Sequence, residues 1–266
     1  MKTLFLGGKI AHHRALANRL HAVVPLDAIC IVEPKPEELL PRLSRAALSR
    51  TLGLPFRLGW SRMVAHFDRL YPDYPDTEIS RHVGVNSDSV IEVVRRTAPD
   101  LVIVSGTDLL RQPLIEVISA TGRIMNLHTG ISPYVKGGPH CTYWCLAMNR
   151  FDLIGNTVMW LDAGIDTGGL IATEQTPLTG SEALHELQVA VVDHGHDLYR
   201  RSVQRFCDGA PLRSVPQSEL GPGRLFVSKD WKANSILAAL KNYYLAYNAS
   251  NVPRQTSVPL VALETD

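Results

Sequence analysis

Short apolar runs that stop at glycine or polar turn residues, with helical stripes between them, constrain this chain more than any other feature. Thr3–Leu6 reads as a buried strand ended by a Gly7-Gly8 turn. Ala15, Leu16, Leu20 and Val23 then fall on one helical face, and Ala28–Val32 gives a second strand. That opening is a β-α-β unit, which sets its two strands parallel in one sheet. Asn86–Asp88 offers N-cap residues for a helix through Arg96, with Val90, Ile91, Val93 and Val94 turned inward. Asp100 opens the strand Leu101–Ser105, and Gly106-Thr107-Asp108 follows as a loop at its carboxyl end. Two later runs, Ile154–Leu161 and Leu170–Glu174, read as strands flanking the Asp162–Gly169 loop. The glycines after the first strand do not form G-x-G-x-x-G, so a dinucleotide cofactor is set aside.

The remaining segments are less regular. Helices are expected over Pro36–Ser49 and Phe56–Leu70, the second ended by the proline-rich Tyr71–Asp76. Arg57, Trp60, Arg62, His66 and Arg69 read either as a solvated helix face with Trp60 packed underneath or as a surface for a phosphate-bearing ligand. Pro139–Met148 looks helical. Thr179-x-x-Glu182 fits a capping box opening a long helix that carries Leu184, Leu187, Val191 and Leu198 and ends near Cys207. Composition then shifts: 208–223 is loop-rich, Phe226–Tyr244 gives one strand and one amphipathic helix, and the last dozen residues read as a tail. The expected division is a catalytic domain over 1–207 and a small extension over 208–266.

Charge narrows the function. With 27 basic and 26 acidic residues among 266, the net charge is +1, and nothing in that balance calls for nucleic acid or a membrane surface. Cys30, Cys141, Cys145 and Cys207 are scattered as in a reducing compartment. The apolar run after Met1-Lys2 is too short for a signal-peptide core, and no run reaches membrane-spanning length. A soluble cytoplasmic protein is the expectation.

The chemistry concentrates between Ile124 and Leu170. Asn126, His128 and Thr129 come directly after a short apolar run, where open α/β sheets place their ligands. Asn126 and His128 are two apart, so in extended chain they project from the same face. Asp162 and Asp166 bracket Gly164 in the later loop. Asn, His and Asp without a serine or cysteine nucleophile suit direct acyl transfer. The imidazole handles the proton of an attacking amine, the amide bonds a developing oxyanion, and the carboxylate orients or balances the imidazole. The bland alternative, a capping Asn126, a satisfied histidine and a turn-forming Asp166, stays open at this point.

These motifs resemble the formyltransferases that use 10-formyltetrahydrofolate. Their mark is Asn-x-His, a Pro and Gly loop, then an Asp-Thr-Gly or Asp-x-Gly turn some three dozen residues on. Here Asn126-Leu127-His128 precedes Ser132-Pro133 and Gly137-Gly138, and Ile165-Asp166-Thr167-Gly168 follows at 166 − 128 = 38. The resemblance covers about Asp100–Thr176 strongly and the flanking elements loosely. It implies an α/β, Rossmann-like, open and mostly parallel twisted sheet with helices on both faces and a small C-terminal extension. It also implies Asn126, His128 and Asp166 as catalytic residues. The loops at Gly106, Thr107, Asp108, Leu109 and Leu110 and at Asp162, Ala163, Gly164 and Ile165 would hold the pteridine of 10-formyltetrahydrofolate, a co-substrate, with no metal.

Departures from the family narrow the acceptor. Members acting on glycinamide ribonucleotide carry a Gly, Ser and Asn-rich phosphate loop after the first strand, where this chain has Gly7-Gly8-Lys9-Ile10-Ala11-His12-His13. Thr129-Gly130-Ile131-Ser132-Pro133 replaces the Ser-Leu-Leu-Pro of many members. The deformylases' extra amino-terminal domain and the methionyl-tRNA enzyme's larger basic carboxyl-terminal domain have no counterpart. The expected partner is a small-molecule amine, a nucleotide-linked amino sugar first and a hydroxylamine or amino acid precursor of a secondary metabolite second, with a homodimer left open. Rival functions are a non-catalytic folate- or nucleotide-binding protein and hydrolysis with water in place of the amine. Cys141 and Cys145 read as core or interface thiols, and Asp193, His194 and His196 as a surface cluster.

Overall fold

The structure, a computed structural model, describes residues 1–34, 51–161 and 167–263. Its strands are β1 (Thr3–Gly8), β2 (Ala28–Glu33), β3 (Glu78–Val83), β4 (Leu101–Ser105), β5 (Arg123–His128), β6 (Lys136–Gly138), β7 (Gly155–Trp160), β8 (Leu170–Gln175) and β9 (Leu225–Val227). The helices are α1 (Ala11–His21), α2 (Leu54–Leu70), α3 (Asp88–Thr97), α4 (Gln112–Ser119), α5 (Cys141–Ala147), α6 (Leu184–Cys207) and α7 (Ala233–Leu245). The main sheet runs β3-β2-β1-β4-β5-β7-β8, and β6 pairs with β9 apart from it. From β3 to β5 every pairing is parallel; β7 and β8 run antiparallel. The expected α/β, Rossmann-like and mostly parallel sheet is what the chain forms.

Strand alternation divides the core by face. Leu4, Leu6, Cys30, Val102 and Val104 meet Val90, Val94, Leu114 and Ile118 of α3 and α4. Phe5, Ile29, Ile31, Ile103 and Met125 meet Leu16 and Leu20 of α1 and Leu198, Tyr199 and Val203 of α6. A third cluster lies off the sheet, where Tyr143, Trp144 and Cys145 of α5 pack with Leu187, Phe226, Ile236 and Tyr247. Strand order turns back between β1 and β4, so their carboxyl ends splay a crevice, the usual ligand position in open α/β sheets.

Several local expectations are corrected. The first strand continues through its glycines: Gly7 pairs with Ile31 and Ser105, and Gly8 with Val32. β3 was not foreseen, because Glu78, Arg81 and His82 give an edge strand little apolar pattern. Asn86 does not cap α3. Its Nδ2 donates to the Leu109 carbonyl at 2.9 Å, and its Oδ1 accepts the Arg111 N–H at 2.7 Å. Helix α5 starts at Cys141 rather than Pro139, after His140 at φ 76°. Thr179 and Glu182 do bond each other, but α6 begins later, where Glu186 accepts the Ala183 N–H at 2.8 Å. The last residues are pinned rather than loose: the Val261 carbonyl accepts Thr173 N–H at 2.7 Å, and Val261 N–H donates to Thr173 Oγ1 at 2.7 Å. The helix expected over Pro36–Ser49 lies outside the described residues.

Candidate active site

β5 carries Asn126 and His128 to the carboxyl edge of the sheet on one face, as their spacing requires. His128 is buried, and its Nε2 lies 2.8 Å from the Val135 carbonyl oxygen. A carbonyl only accepts, so Nε2 carries the proton in the neutral ring and Nδ1 is its basic nitrogen. Gly130 makes room for this contact: a Cβ there would stand 2.6 Å from His128 Nε2 and 2.8 Å from the Val135 oxygen. The loop between them is held by Thr157 of β7, whose Oγ1 donates to the Gly130 carbonyl at 2.6 Å and accepts the Ser132 N–H at 2.9 Å. The Cys141 thiol sits 3.9 Å from Nε2 and donates to the Gly137 carbonyl at 3.3 Å.

Two spaces meet at Asn126. One, of about 420 Å³, is lined by Gly106, Thr107, Asp108, Leu109 and Leu110 on one side and by Trp160, Leu161 and Phe226 on the other. The second is an inner chamber of about 310 Å³ containing Asn126, His128, His12, His13, Gln188 and His196. It joins an outer vestibule of about 540 Å³ at Lys9, Pro34, Trp60 and His140. Asn126 and Gly137 line both the first space and the inner chamber. The Gly106–Leu110 segment expected to hold a pteridine therefore forms one wall of the first space. Asp162, Ala163, Gly164, Ile165 and Asp166 lie outside the described residues, flanked by Leu161 and Thr167, which line that same space.

The sequence reading missed the residues that hold this edge in place. Tyr199 of α6 inserts its hydroxyl between β4 and β5, accepting the Val104 N–H at 3.1 Å and donating to the Met125 carbonyl at 2.5 Å. It is fully buried one position before Asn126's register, so it sets the spacing of the two strands that carry Ser105 and Asn126. His13 was also passed over. Its Nδ1 lies 2.9 Å from Ser105 Oγ, and its ring occupies the space a Cβ on Gly106 would need, 2.0 Å away. Gly106 at φ +68° therefore answers both a left-handed backbone and a close approach. Burial lowers the His12 pKa to about 4 and holds His13 and His196 well below the ordinary imidazole value, with Arg19 adding to the effect at His196. The expected surface cluster on α6 is split: His194 bonds Glu174 at 3.1 Å, whereas His196 is buried in the chamber. Of the basic face on α2, Trp60 reaches the chamber while Arg57, Arg62 and Arg69 are exposed. Among the described residues no group of three or more His, Cys, Asp or Glu side chains is arranged to hold a metal.

Residues 73–203 match the Formyl transferase family model, and that span contains Asn126, His128, the 106–110 wall and Asp166. The chain carries a formyl transferase domain. Outside it, the formyl transferase domain is preceded by β1, α1, β2 and α2 and followed by the extension that supplies Phe226. A methionyl-tRNA formyltransferase of Geobacter sulfurreducens is 29% identical over 146 residues, covering 54% of this chain and 45% of that protein. The chain thus matches less than half the length of such curated relatives. Among solved structures, an N-formyltransferase from Helicobacter canadensis in complex with folinic acid and dTDP-3-aminofucose superposes with a TM-score of 0.57. It is 13% identical, over 91% of this chain and 81% of that one. Phosphoribosylglycinamide formyltransferase from Anaplasma phagocytophilum gives 0.55 at 14% identity, covering 79% of this chain and 88% of that one. At these identities the superpositions establish the fold.

Proposed function

We propose that this protein transfers a formyl group from 10-formyltetrahydrofolate to a primary amine of a small molecule, foremost a nucleotide-linked amino sugar. One observation carries the reading: Asn126 lines both the space walled by Gly106–Leu110 and the chamber holding His128, as a two-substrate transfer demands. The first space fits a flat heterocycle, with backbone along Gly106–Leu110 and apolar Trp160, Leu161 and Phe226 opposite. The donor supplies a formyl carbon on a nitrogen that leaves readily. Asn126 donates its amide N–H to the formyl oxygen as it becomes anionic, and His128 takes the proton that the attacking amine sheds. Asp166, by its place in the matched domain, balances the imidazolium. The likeness to the Helicobacter canadensis enzyme extends over 91% of this chain, which favours an amino-sugar acceptor over a tRNA.

The test is release of tetrahydrofolate, followed by absorbance, from 10-formyltetrahydrofolate with a panel of amines. Turnover with at least one nucleotide-linked amino sugar, abolished in Asn126→Ala, is expected. Folate binding without transfer to any amine would leave a binding protein, and release without any amine would mean hydrolysis.

A further inference from the structure

The loop-rich stretch after α6 contains one polar side chain turned inward. Pro216, Ser218 and Glu219 are exposed, whereas Gln217 among them is buried. Its Nε2 donates to the carbonyl of buried Gly168 at 2.9 Å. Burying a flexible amide costs side-chain freedom and desolvation, and a bond to a buried carbonyl offsets that cost. Two further contacts hold the same place. Val215 and Leu170 each donate an N–H to the other's carbonyl at 2.9 Å, and a Cβ on Gly169 would stand 2.8 Å from Ser214 Oγ. Residues 214–217 are thus held on 168–170 by backbone, by close approach and by one amide.

Farther along, the same segment holds a second loop. The Arg224 carbonyl accepts the Lys136 N–H at 2.9 Å, and the Arg224 N–H donates to the Pro133 carbonyl at 3.3 Å. β9 then pairs with β6. A Cβ on Gly223 would lie 2.3 Å from the Pro133 oxygen, so the two backbones approach closely.

Both held loops are walls of the space of about 420 Å³. Thr167 and Gly168 line it from one loop, Gly137 and Gly138 from the other, and Phe226 and Val227 belong to the segment itself. Loops are fixed less tightly than strands, so a segment bonded to both narrows their separation. Its hold on Gly168 is made by a single replaceable side chain.

We propose that 214–227 is a tie across the donor space, and that Gln217 is a positioning residue for 10-formyltetrahydrofolate, acting through the Gly168 carbonyl and the wall it belongs to. The tie deepens the proposed transfer reaction and rests on it for the identity of the ligand.

Calorimetric titration of the full chain with folinic acid tests it. Gln217→Met keeps the reach of the side chain and removes its N–H. It should weaken folinic acid binding about three- to tenfold, the worth of one hydrogen bond, and raise the donor KM alike, with kcat changed by less than about threefold. Gln217→Glu supplies a signature that a merely structural role would not. At about pH 7.5 its carboxylate sets an acceptor against an acceptor, and binding should fall further than in Gln217→Met. Burial favours the protonated carboxyl, whose O–H donates to Gly168. At about pH 5.5 the ratio of variant to wild-type affinity should therefore recover for Gln217→Glu and stay constant for Gln217→Met. Tyr247→Phe, which loses a 2.6 Å bond to Glu182 outside the described lining of this space, is the control for stability. Its melting temperature should fall while folinic acid affinity holds; a loss of affinity matching that of Gln217→Met would overturn the tie. Wild-type affinity in both Gln217 variants, or a loss in Gln217→Glu that does not recover at the lower pH, overturns the tie and leaves the transfer reading standing. A folded wild-type chain that binds no folinic acid fails the transfer reading itself, and the role of Gln217 toward the donor falls with it.

Discussion

At the residue scale, the tautomer of His128 is set by a bond from Nε2 to a carbonyl that has no proton to give. Its Nε2–H is committed to Val135, so proton transfer falls to Nδ1, and the ring is already in the tautomer that a base requires. His128→Asn should therefore lower kcat by about two to four orders of magnitude, the usual worth of positioned acid–base help, with donor affinity little changed. Asn126→Ala should cost about a hundredfold to a thousandfold, as loss of one oxyanion donor does. Measuring kcat and melting temperature together separates these roles from a structural one, which predicts a damaged melting temperature and a modest loss of rate. Asn126 and His128 were legible in the sequence because strand alternation places i and i+2 together whatever surrounds them. His12, His13 and His196 were not. Their proximity depends on α1 and α6 crossing the same sheet face from far apart in the chain (196 − 12 = 184), which no local pattern records.

At the element scale, the loop from Gly106 to Leu110 is shaped from outside itself. Asn86, at the mouth of α3, grips Leu109 and Arg111 with both ends of its amide, and His13 fills the hollow over Gly106. The sequence offered Asn86–Asp88 as cap residues, and the N-cap position of α3 is Ser87, within that stretch. The structure uses the Asn86 side chain as a clamp on the following loop, a choice that only tertiary position decides. Asn86→Ala should leave α3 intact, since Asn86 caps nothing there. It should weaken folate binding by about three- to tenfold through loss of loop order, with acceptor KM unaffected; calorimetric titration with folinic acid reads this. An unchanged folate affinity together with a lowered melting temperature would return Asn86 to a purely structural role. The buried strands β1, β2, β4 and β5 were readable because helices cover both faces and force continuous apolar runs. β3 was not, because an edge strand is selected for charge rather than for burial.

At the scale of the whole molecule, the chain past Cys207 is bound to the preceding residues at several places, among them a Val215–Leu170 bridge on β8. β9 pairs with β6, α7 packs on α5, and 253–261 runs along the open edge of β8. A chain ending at Cys207 would uncover Trp144, Cys145 and Leu187 where Phe226, Ile236 and Tyr247 now lie, and should aggregate rather than fold. We propose that the extension is a wall of the site rather than an independent domain; cooperative unfolding of 208–266 alone would contradict that. The sequence suggested as much from size, since one strand and one helix cannot bury a core. The pinning of its end on Thr173 was invisible, because those bonds are made by backbone and one hydroxyl.

Acid titration joins these scales. His12 has its pKa lowered to about 4, and His13 and His196 are also held down, so each binds a proton less readily folded than unfolded. Between the unfolded imidazole value of about 6.5 and a folded value near 4, the unfolded chain carries more protons, and stability falls as pH falls. Glu174, against His194 and Arg201, and Glu182, bonded to Tyr247 and Thr179, are each lowered to about 2. Their contribution is complete above the unfolded carboxylate value of about 4.3 and is lost as pH drops toward 2. The two windows abut, so melting temperature should decline continuously from about pH 6.5 downward rather than holding a plateau to pH 4. Among the described residues, the groups facing these histidines include Arg19, Ser105, Trp60, Phe67 and Gln188, none of them a carboxylate. His12→Asn should therefore make the upper window shallower, with His13 and His196 still contributing, while leaving the lower one intact. Melting curves at half-unit pH steps for both proteins decide it: the same slope between pH 6.5 and 4.5 in wild type and variant would mean that His12 is not buried neutral.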